Sequence, residues 1–243
     1  MRGLRTTGLR RASSYSNGLR EHNRAPGDAA HSNVSNHSSG CRPDSRKSVK
    51  GLRVTGGRLA GRRFRVPPVD VRPTSDRVRE SLFAQLGDLA GQYVLDLYSG
   101  SGALAIEAAS RGAHSVVCVE RAPRTLSCLR VNLASLELES MVRVVSGDVP
   151  RVLRRLARAK ERFDLVLIDP PYGTEEAQRA LRALMGTTIL APQAVVVLER
   201  ERRHPSPRVE GLVETGERRY GDTVIARYTT ESSQGRAIVR GVD

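Results

Sequence analysis

Four short apolar runs in this chain each reach an acidic residue, and stretches with helical periodicity separate them. The acids are Asp96, Glu120, Asp148 and Asp169. Apolar runs that alternate with helical stretches are typical of parallel strands joined by helical crossovers. In an open parallel sheet the carboxyl ends of the strands line one crevice, so the pattern predicts that the four carboxylates lie together. Taken singly, each acid could instead cap the helix that follows it, and for Asp148 that is the simpler interpretation.

A glycine-rich bend follows the first of these runs. Residues 94–102 read Val-Leu-Asp-Leu-Tyr-Ser-Gly-Ser-Gly and precede an alanine-rich, helix-favouring stretch. Such a bend allows a ligand to approach the backbone and the N–H groups of the next helix. The spacing Gly100-x-Gly102-x-x-Ala105 also satisfies the loose fingerprint of dinucleotide sites. A carboxylate at Asp96 suits an ammonium group better than a pyrophosphate, and S-adenosylmethionine carries an ammonium group and no phosphate.

Two of the acids lie where an adenosine ligand would need them. Glu120 follows the glycine bend by about twenty residues, the position from which an acid reaches ribose hydroxyls. Asp148 ends the next run and could accept a hydrogen bond from an adenine amino group.

The fourth run leads into the turn Asp169-Pro170-Pro171-Tyr172. Two successive prolines lack N–H donors and fix φ, so the chain leaves the sheet as a stiff turn whose carbonyls can accept hydrogen bonds. A carboxylate and a free carbonyl can take the two hydrogens of an exocyclic amine, and Tyr172 offers a face on which a base can stack. The turn indicates methylation of a nucleobase nitrogen. Alone, it could equally be a plain strand terminator.

Together these motifs resemble the class I S-adenosylmethionine-dependent methyltransferases. More narrowly, the chain resembles the RsmD-type guanine-N2 methyltransferases of small-subunit ribosomal RNA. The matching stretches are residues 72–83, 95–113, 169–172 and 220–223, within roughly residues 51–230. The arginine-rich stretch 72–83 is the specific part, because the glycine bend and the proline turn occur in many methyltransferases. Ala84 departs from the asparagine that the family usually carries there.

The resemblance implies S-adenosylmethionine as the cofactor, and it implies roles for individual residues. The target amine would be held by the catalytic residues Asp169, Pro170, Pro171 and Tyr172. The cofactor would be held at its methionine end by Asp96, Gly100 and Gly102, at its ribose by Glu120 and at its adenine by Asp148. Tyr98, Ser99 and Asp169 would be further cofactor-binding residues. The resemblance also implies a target at guanine 966 of 16S ribosomal RNA, within the 30S subunit or an assembly intermediate, and a monomeric enzyme.

The predicted fold is an α/β, Rossmann-like, doubly wound sheet of seven mostly parallel strands. By resemblance the last strand is antiparallel, and a small basic hairpin and helix precede the sheet. The predicted domains are a disordered basic tail over residues 1–50, the RNA-contacting hairpin and helix over 51–90, the methyltransferase domain over 91–232 and a flexible end over 233–243. The last two strands are predicted over residues 209–217 and 223–229.

The net charge of +14 indicates a polyanionic partner. About half of the excess falls in residues 1–50. The rest concentrates in the arginines from Arg53 to Arg79, and residues 51–69 contain no acid. A bound anion would relieve the repulsion among these arginines, although a run of charges can also be a solvated face. The predicted RNA contacts are Arg53, Arg58, Arg62, Arg63, Arg72, Arg77 and Arg79.

A helix within residues 73–89 is predicted from an apolar stripe at Val78, Leu82, Leu86 and Leu89, with Thr74 or Ser75 as its cap. Packing of that stripe on the main domain would leave Arg77 and Arg79 facing solvent or substrate.

The tail over residues 1–50 is rich in serine and arginine and poor in acids, as organellar transit peptides are. An early start codon in a GC-rich bacterial gene gives the same composition, and this interpretation, with a cytoplasmic location, is preferred. No run of about twenty apolar residues exists, so no membrane association is expected. Three cysteines without a C-x-x-C pattern indicate neither a disulfide framework nor a metal site.

The predicted function is therefore transfer of a methyl group from S-adenosylmethionine to the N2 amine of a guanine in ribosomal RNA. Three alternatives remain at this point. They are an adenine or cytosine amino methyltransferase of DNA or RNA, a nicotinamide enzyme, and a non-catalytic RNA-binding assembly factor on the same fold.

Overall fold

The computed structural model describes residues 51–67, 75–171 and 175–231. They all lie in one compact unit, Lys47–Asp243. The predicted disordered tail and flexible C-terminal end, and the site residues Arg72 and Tyr172, lie outside the described residues.

The described chain alternates strands and helices after an initial hairpin. Its strands are β1 (Gly51–Arg53), β2 (Arg63–Arg65), β3 (Tyr93–Leu97), β4 (Ser115–Glu120), β5 (Val142–Ser146), β6 (Phe163–Ile168), β7 (Leu190–Glu201), β8 (Leu212–Tyr220) and β9 (Thr223–Thr230). Its helices are α1 (Asp76–Leu86), α2 (Ala103–Ser110), α3 (Pro123–Ser135), α4 (Val149–Arg158) and α5 (Glu176–Met185).

Seven strands form one sheet in the order β5-β4-β3-β6-β7-β9-β8. The pairs from β5 to β7 are parallel, whereas β9 runs antiparallel between β7 and β8. The predicted seven-stranded α/β sheet with an antiparallel last strand is confirmed. The strand order reverses direction at β3, which has β4 on one side and β6 on the other, so the crevice expected in such folds opens at the carboxyl end of β3.

The register brings the carboxyl ends of the central strands level. Leu97 of β3 pairs with Val119 of β4 and Ile168 of β6, and Ile168 pairs with Leu198 of β7. Residues that follow these four therefore share one edge of the sheet.

Two apolar cores cover the two faces of the sheet. The first includes the hairpin residues Val54, Leu59 and Phe64 together with side chains of α1, α2 and α3. The second lies under α4 and α5, through residues such as Leu153 and Leu181. The basic hairpin, β1 paired with β2, is thus part of the packed protein, since three of its side chains are buried in the first core.

Helix α1 begins where the sequence predicts. Ser75 is the N-cap, and its hydroxyl accepts a hydrogen bond from the Val78 N–H at 3.3 Å. The helix ends at Leu86, earlier than the apolar stripe suggests, because Gly87 adopts a φ of +74°. Leu89 is nevertheless buried beyond the helix end, at 1% exposure.

The edge strand β8 lies three residues later than predicted, at Leu212–Tyr220 instead of 209–217. Its side chains are largely exposed on both faces, so the strand has no clear alternation of apolar and polar residues. The strand begins only after Gly211, whose φ of +82° interrupts the extended backbone, and it ends at the two-residue turn Gly221-Asp222.

Candidate active site

The glycine bend connects the end of β3 to the start of α2. Gly102 is the N-cap of α2 with a φ of +88°, and a Cβ at this position would collide with Leu129 of α3. Its N–H donates to the Ser99 carbonyl at 2.7 Å, which closes the bend. Glycine suits this position because the backbone is left-handed and the Leu129 side chain of α3 approaches closely.

Asp96 lies at the floor of the crevice and is 1% exposed. Its Oδ2 accepts from the Ala105 N–H at 3.1 Å, whereas Oδ1 has no hydrogen-bond partner among the described residues. Burial, with the nearby Glu120 as a smaller cause, raises the pKa of Asp96 to about 8, although the hydrogen bond from Ala105 acts in the opposite direction. A buried carboxylate oxygen without a partner favours a cationic ligand, so the residue fits an ammonium group.

Glu120 ends β4 and joins two strand ends. Its Oε1 accepts from the N–H groups of Arg121 and Ala122 at 2.7 and 2.8 Å, and its Oε2 accepts from the Gly100 N–H at 3.1 Å. The carboxylate is therefore fixed beside the glycine bend, with remaining acceptor capacity for hydroxyl groups.

Asp148 occupies the N-cap position of α4, but its side chain makes no capping hydrogen bond. Its Oδ2 accepts from Arg179 Nη2 at 3.2 Å instead. The capping interpretation is therefore wrong for this side chain, which interacts with α5.

Glu176 and Arg179 of α5 are site residues that the sequence analysis missed. The Tyr98 hydroxyl donates to Glu176 Oε2 at 2.9 Å, and Arg179 Nη1 lies 3.3 Å from Glu176 Oε1. Burial and the neighbouring Glu176 carboxylate raise the pKa of Tyr98 above its usual range. Tyr98 holds this position with a φ of +63°, a conformation that non-glycine residues adopt mainly where function or packing requires it. No local sequence pattern signals this network, because its members come from three separate elements.

One cavity of about 560 Å³ gathers most of the predicted site. Its walls include all four strand-end acids, the glycine bend and both prolines of the turn. The lining residues among the predicted set are Asp96, Tyr98, Ser99, Gly100, Glu120, Asp148, Asp169, Pro170 and Pro171. Gly102 is buried, and its neighbours Ser101 and Ala103 line the cavity.

Asn132 of α3 is another residue that the sequence analysis missed. Its Oδ1 accepts from the Arg65 N–H at 2.8 Å, and its Nδ2 donates to the Arg65 and Ser101 carbonyls at 2.9 Å each. Val66 and Pro67, which follow Arg65, line the cavity. Asn132 thereby ties the end of the basic hairpin to the glycine bend. An asparagine beside the apolar stripe of a helix is the signal that could have identified it.

A second cavity, of about 440 Å³, lies on the other side of the proline turn. Pro170 and Pro171 line both cavities, and the second also includes Glu199, Gln178 and His204. Glu199 is 4% exposed. It follows the apolar residues 194–198 within β7, and an acid after an apolar run is the same signal that identified the other four acids.

Five of the predicted RNA-contacting arginines are exposed. They are Arg53, Arg58, Arg62, Arg63 and Arg77. Arg58 and Arg62 also contact the body of the protein, because Arg58 Nη2 lies 3.3 Å from the Met141 sulfur and Arg62 Nη2 donates to the Ser135 carbonyl at 3.1 Å.

The prediction that Arg79 faces solvent or RNA is wrong. Its side chain is fully buried, where Nη2 donates to the Arg53 carbonyl at 2.6 Å and to Asp76 at 2.9 Å. Its Nε lies 3.5 Å from the buried carboxylate of Glu107 on α2. The hairpin covers this flank of α1, so the buried face of the helix includes Arg79 as well as the apolar residues of the stripe. Glu107 also pairs with Arg111 and accepts from the Thr55 N–H at 2.7 Å, so this cluster fixes the hairpin to the sheet domain.

None of the helices in the described ranges is long and apolar enough to cross a membrane. Across residues 51–67, 75–171 and 175–231, no group of three or more His, Cys, Asp or Glu side chains is arranged to hold a metal ion.

Comparison with known proteins agrees with this geometry. The family model described as Conserved hypothetical protein 95 matches residues 52–229. YlbH of Bacillus subtilis (strain 168) is 34% identical over 180 residues, which cover 73% of this chain and 98% of YlbH. Ribosomal RNA small subunit methyltransferase D of Escherichia coli (strain K12) is 30% identical over 188 residues, covering 76% and 93% of the two chains. The solved structure of a hypothetical protein from Thermus thermophilus is similar at a TM-score of 0.63 and 28% identity, covering 72% of this chain and 98% of the other.

Proposed function

Since this chain belongs to the family described as Conserved hypothetical protein 95, the RsmD family, we propose that it methylates the N2 amine of a guanine in small-subunit ribosomal RNA, with S-adenosylmethionine as the methyl donor. The name of the Escherichia coli relative supports the ribosomal RNA substrate. The choice of guanine N2, at the position equivalent to guanine 966, rests on the resemblance of the motifs.

The observation that carries the proposal is the composition of the larger cavity. Four carboxylates from four adjacent strand ends and the Pro170-Pro171 turn line the same space of about 560 Å³. A site for a nicotinamide dinucleotide would have to place a pyrophosphate among these carboxylates, at considerable electrostatic cost. An amino-acid nucleoside without phosphate avoids this repulsion.

The residues present fit S-adenosylmethionine along the whole crevice. The unpartnered Oδ1 of Asp96 would bind the ammonium group, Glu120 would accept from the ribose hydroxyls, and Asp148 would accept from the adenine amino group. When bound, the cofactor supplies a methyl group already activated by a sulfonium, so no acid is needed to assist its departure. The protein's task is therefore to align the acceptor and exclude water.

Asp169 and the Pro170 carbonyl would align the acceptor amine. The lone pair of a guanine N2 is delocalised into the ring and is weakly nucleophilic, and two hydrogen bonds from its hydrogens would localise it. The bound cofactor would supply the methyl carbon for the new bond to N2, and its sulfur would keep the electron pair of the broken carbon–sulfur bond. The proton that N2 then loses lies next to the Asp169 carboxylate. Tyr172, beyond the described residues, would stack on the base.

Ribosomal RNA would bind across the exposed arginines of the hairpin and α1. Arg53, Arg58, Arg62, Arg63 and Arg77 are all accessible to phosphate groups, and Arg72 adjoins them in sequence. The substrate would be the 30S subunit or an assembly intermediate, acted on by a monomer.

Nucleoside mass spectrometry of small-subunit ribosomal RNA tests this function. Cells that lack the gene should lose one N2-methylguanosine, and the wild-type gene should restore it. Asp169→Ala should fail to restore it while the purified variant still binds S-adenosylmethionine. Glu139→Ala, at an exposed position away from the cavity, is the matched control and should restore it. An unchanged nucleoside profile in the deletion strain contradicts the proposed function, and near-normal turnover by Asp169→Ala contradicts the role of Asp169.

A further inference from the structure

Glu199 is an acid of β7 that lies next to Asp169, at the point where the parallel pairing of β6 with β7 ends. Ile168 of β6 is paired with Leu198 of β7, so Asp169 and Glu199 are the next residues on two adjacent parallel strands. Neighbouring strands lie about 4.8 Å apart. The backbones of the two acids therefore lie side by side at the carboxyl edge of the sheet.

The two acids belong to different cavities that share a wall. Asp169 lines the larger cavity and Glu199 lines the second, whereas Pro170 and Pro171 line both. The second cavity, at about 440 Å³, is in the size range of sites for small ligands and is large enough for a purine ring. A base whose amine is held at the turn can thus have its ring in the second cavity while the methyl donor lies in the first.

Glu199 is also shielded from water, with an exposed fraction of 4%. Little water competes for such a carboxylate, so a hydrogen bond from a ligand donor is stronger here than at the surface of the protein.

The Watson–Crick edges of the amino-bearing bases differ in what lies beside the amine. In guanine the N2 amine lies beside N1–H, so two donors are adjacent. In adenine and cytosine the amine lies beside a ring nitrogen that only accepts. A carboxylate only accepts, so two adjacent carboxylates match guanine and leave an unpaired, repulsive contact with the other two bases.

We propose that Glu199 selects guanine, with its carboxylate accepting the N1–H of the target base while Asp169 accepts from the N2 amine. This inference rests on the proposed function and adds a physical reason for its choice of base. The Asp-Pro-Pro-Tyr turn alone does not distinguish the three bases, and the neighbouring strand end supplies the missing discrimination.

The test uses 2-aminopurine, which keeps the 2-amino group of guanine but has an acceptor at N1 in place of N1–H. The substrate is small-subunit ribosomal RNA ligated to carry either guanine or 2-aminopurine at the mapped target position. Wild-type enzyme should methylate guanine with a kcat/KM about 100-fold or more above that for 2-aminopurine, because the carboxylate meets a lone pair in the analogue. Glu199→Gln introduces an N–H donor that can face the analogue's N1, so this ratio should fall at least about tenfold.

The ratio of the kcat/KM values for the two substrates distinguishes recognition of the base from a purely structural role. If Glu199 only supports the fold, Glu199→Gln lowers both kcat/KM values by the same factor and the ratio is unchanged, which overturns the proposal. Equal use of the two substrates by the wild-type enzyme overturns it as well. Glu214→Gln, at an exposed position of β8, is the control and should keep the wild-type ratio. If wild-type enzyme methylates neither substrate, the proposed function itself fails, so the two failures are distinguishable.

Discussion

The crevice at the carboxyl edge of the sheet and the basic extension, which comprises the β1–β2 hairpin and α1, differ in how their buried charges are surrounded. In the crevice, Asp96 has one oxygen without a partner among the described residues, and this oxygen belongs to a residue that lines a cavity. In the extension, Arg79 is buried against Glu107 and Asp76 and lines neither cavity. Burial alone therefore does not identify a functional charge. A buried charge that faces a cavity marks a ligand site, whereas one enclosed by countercharges marks a structural joint.

The most disruptive substitution should be Arg79→Ala. It removes one member of a buried ion cluster and leaves the fully buried Glu107 with less compensation, which costs about 3–5 kcal/mol of unfolding free energy. It also removes the donor to the Arg53 carbonyl, which fixes β1. Urea unfolding of the purified variant measures the effect.

Arg77→Ala is the matched control, two residues away on the same helix but exposed. It should change the unfolding free energy by no more than about 0.5 kcal/mol. A similarly small loss of unfolding free energy in both variants would contradict the structural role of Arg79. It would also remove the distinction drawn between the buried charges of the extension and those of the crevice.

The strand-end acids were predictable because their position depends on local pattern. An apolar run fixes a strand, and the topology of a parallel sheet brings the carboxyl ends of β3, β4 and β6 to one edge. Glu199 carries the same signal after residues 194–198. The seven-stranded sheet follows from the alternation of apolar runs with helical stretches. The position of β8 was predicted three residues too early, because this exposed edge strand has no apolar run to mark it.

The position of Arg79 could not be predicted from the helix alone. Whether the flank of α1 is exposed depends on the hairpin that packs over it, which is a contact between elements distant in sequence. The bond between Asp148 and Arg179, 31 residues apart, is of the same kind. Local pattern identifies the edge of the sheet, whereas tertiary packing decides which charges are enclosed.

The raised pKa of Asp96 predicts a pH dependence in the crevice. In the free protein the pKa is about 8, so Asp96 carries a proton at pH 6, and an ammonium ligand that prefers the carboxylate must displace that proton. Affinity for S-adenosylmethionine should therefore rise with pH, by at most about tenfold per unit between pH 6 and 7.5. Calorimetric titration across this range should also detect proton release on binding.

Asp96→Asn tests the origin of this slope. The amide does not titrate, so affinity for S-adenosylmethionine should be weaker than in the wild type at pH 7.5 and should change little with pH, whereas Glu139→Gln should keep the wild-type slope.

The stability of the free protein offers a second measurement. Because the folded state binds the Asp96 proton more tightly than the unfolded chain, this residue's contribution to stability is present below about pH 4 and is lost as the pH rises toward 8. An unchanged binding slope in Asp96→Asn would show that another group titrates.

The smallest effect is expected from a single exposed arginine of the extension. Arg63→Ala removes one cation that can contact phosphate, so affinity for ribosomal RNA should fall only a few-fold, and the slope of log affinity against log salt should decrease by slightly less than one. Filter binding at several salt concentrations measures both quantities. Arg218→Ala, an exposed arginine on edge strand β8, is the control and should leave the slope unchanged. If the two variants reduce the slope equally, RNA contacts the protein through its general positive charge and the extension has no special role. If only Arg63→Ala does so, the extension contains two functional classes of arginine, exposed ones that bind phosphate and a buried one that holds them in place.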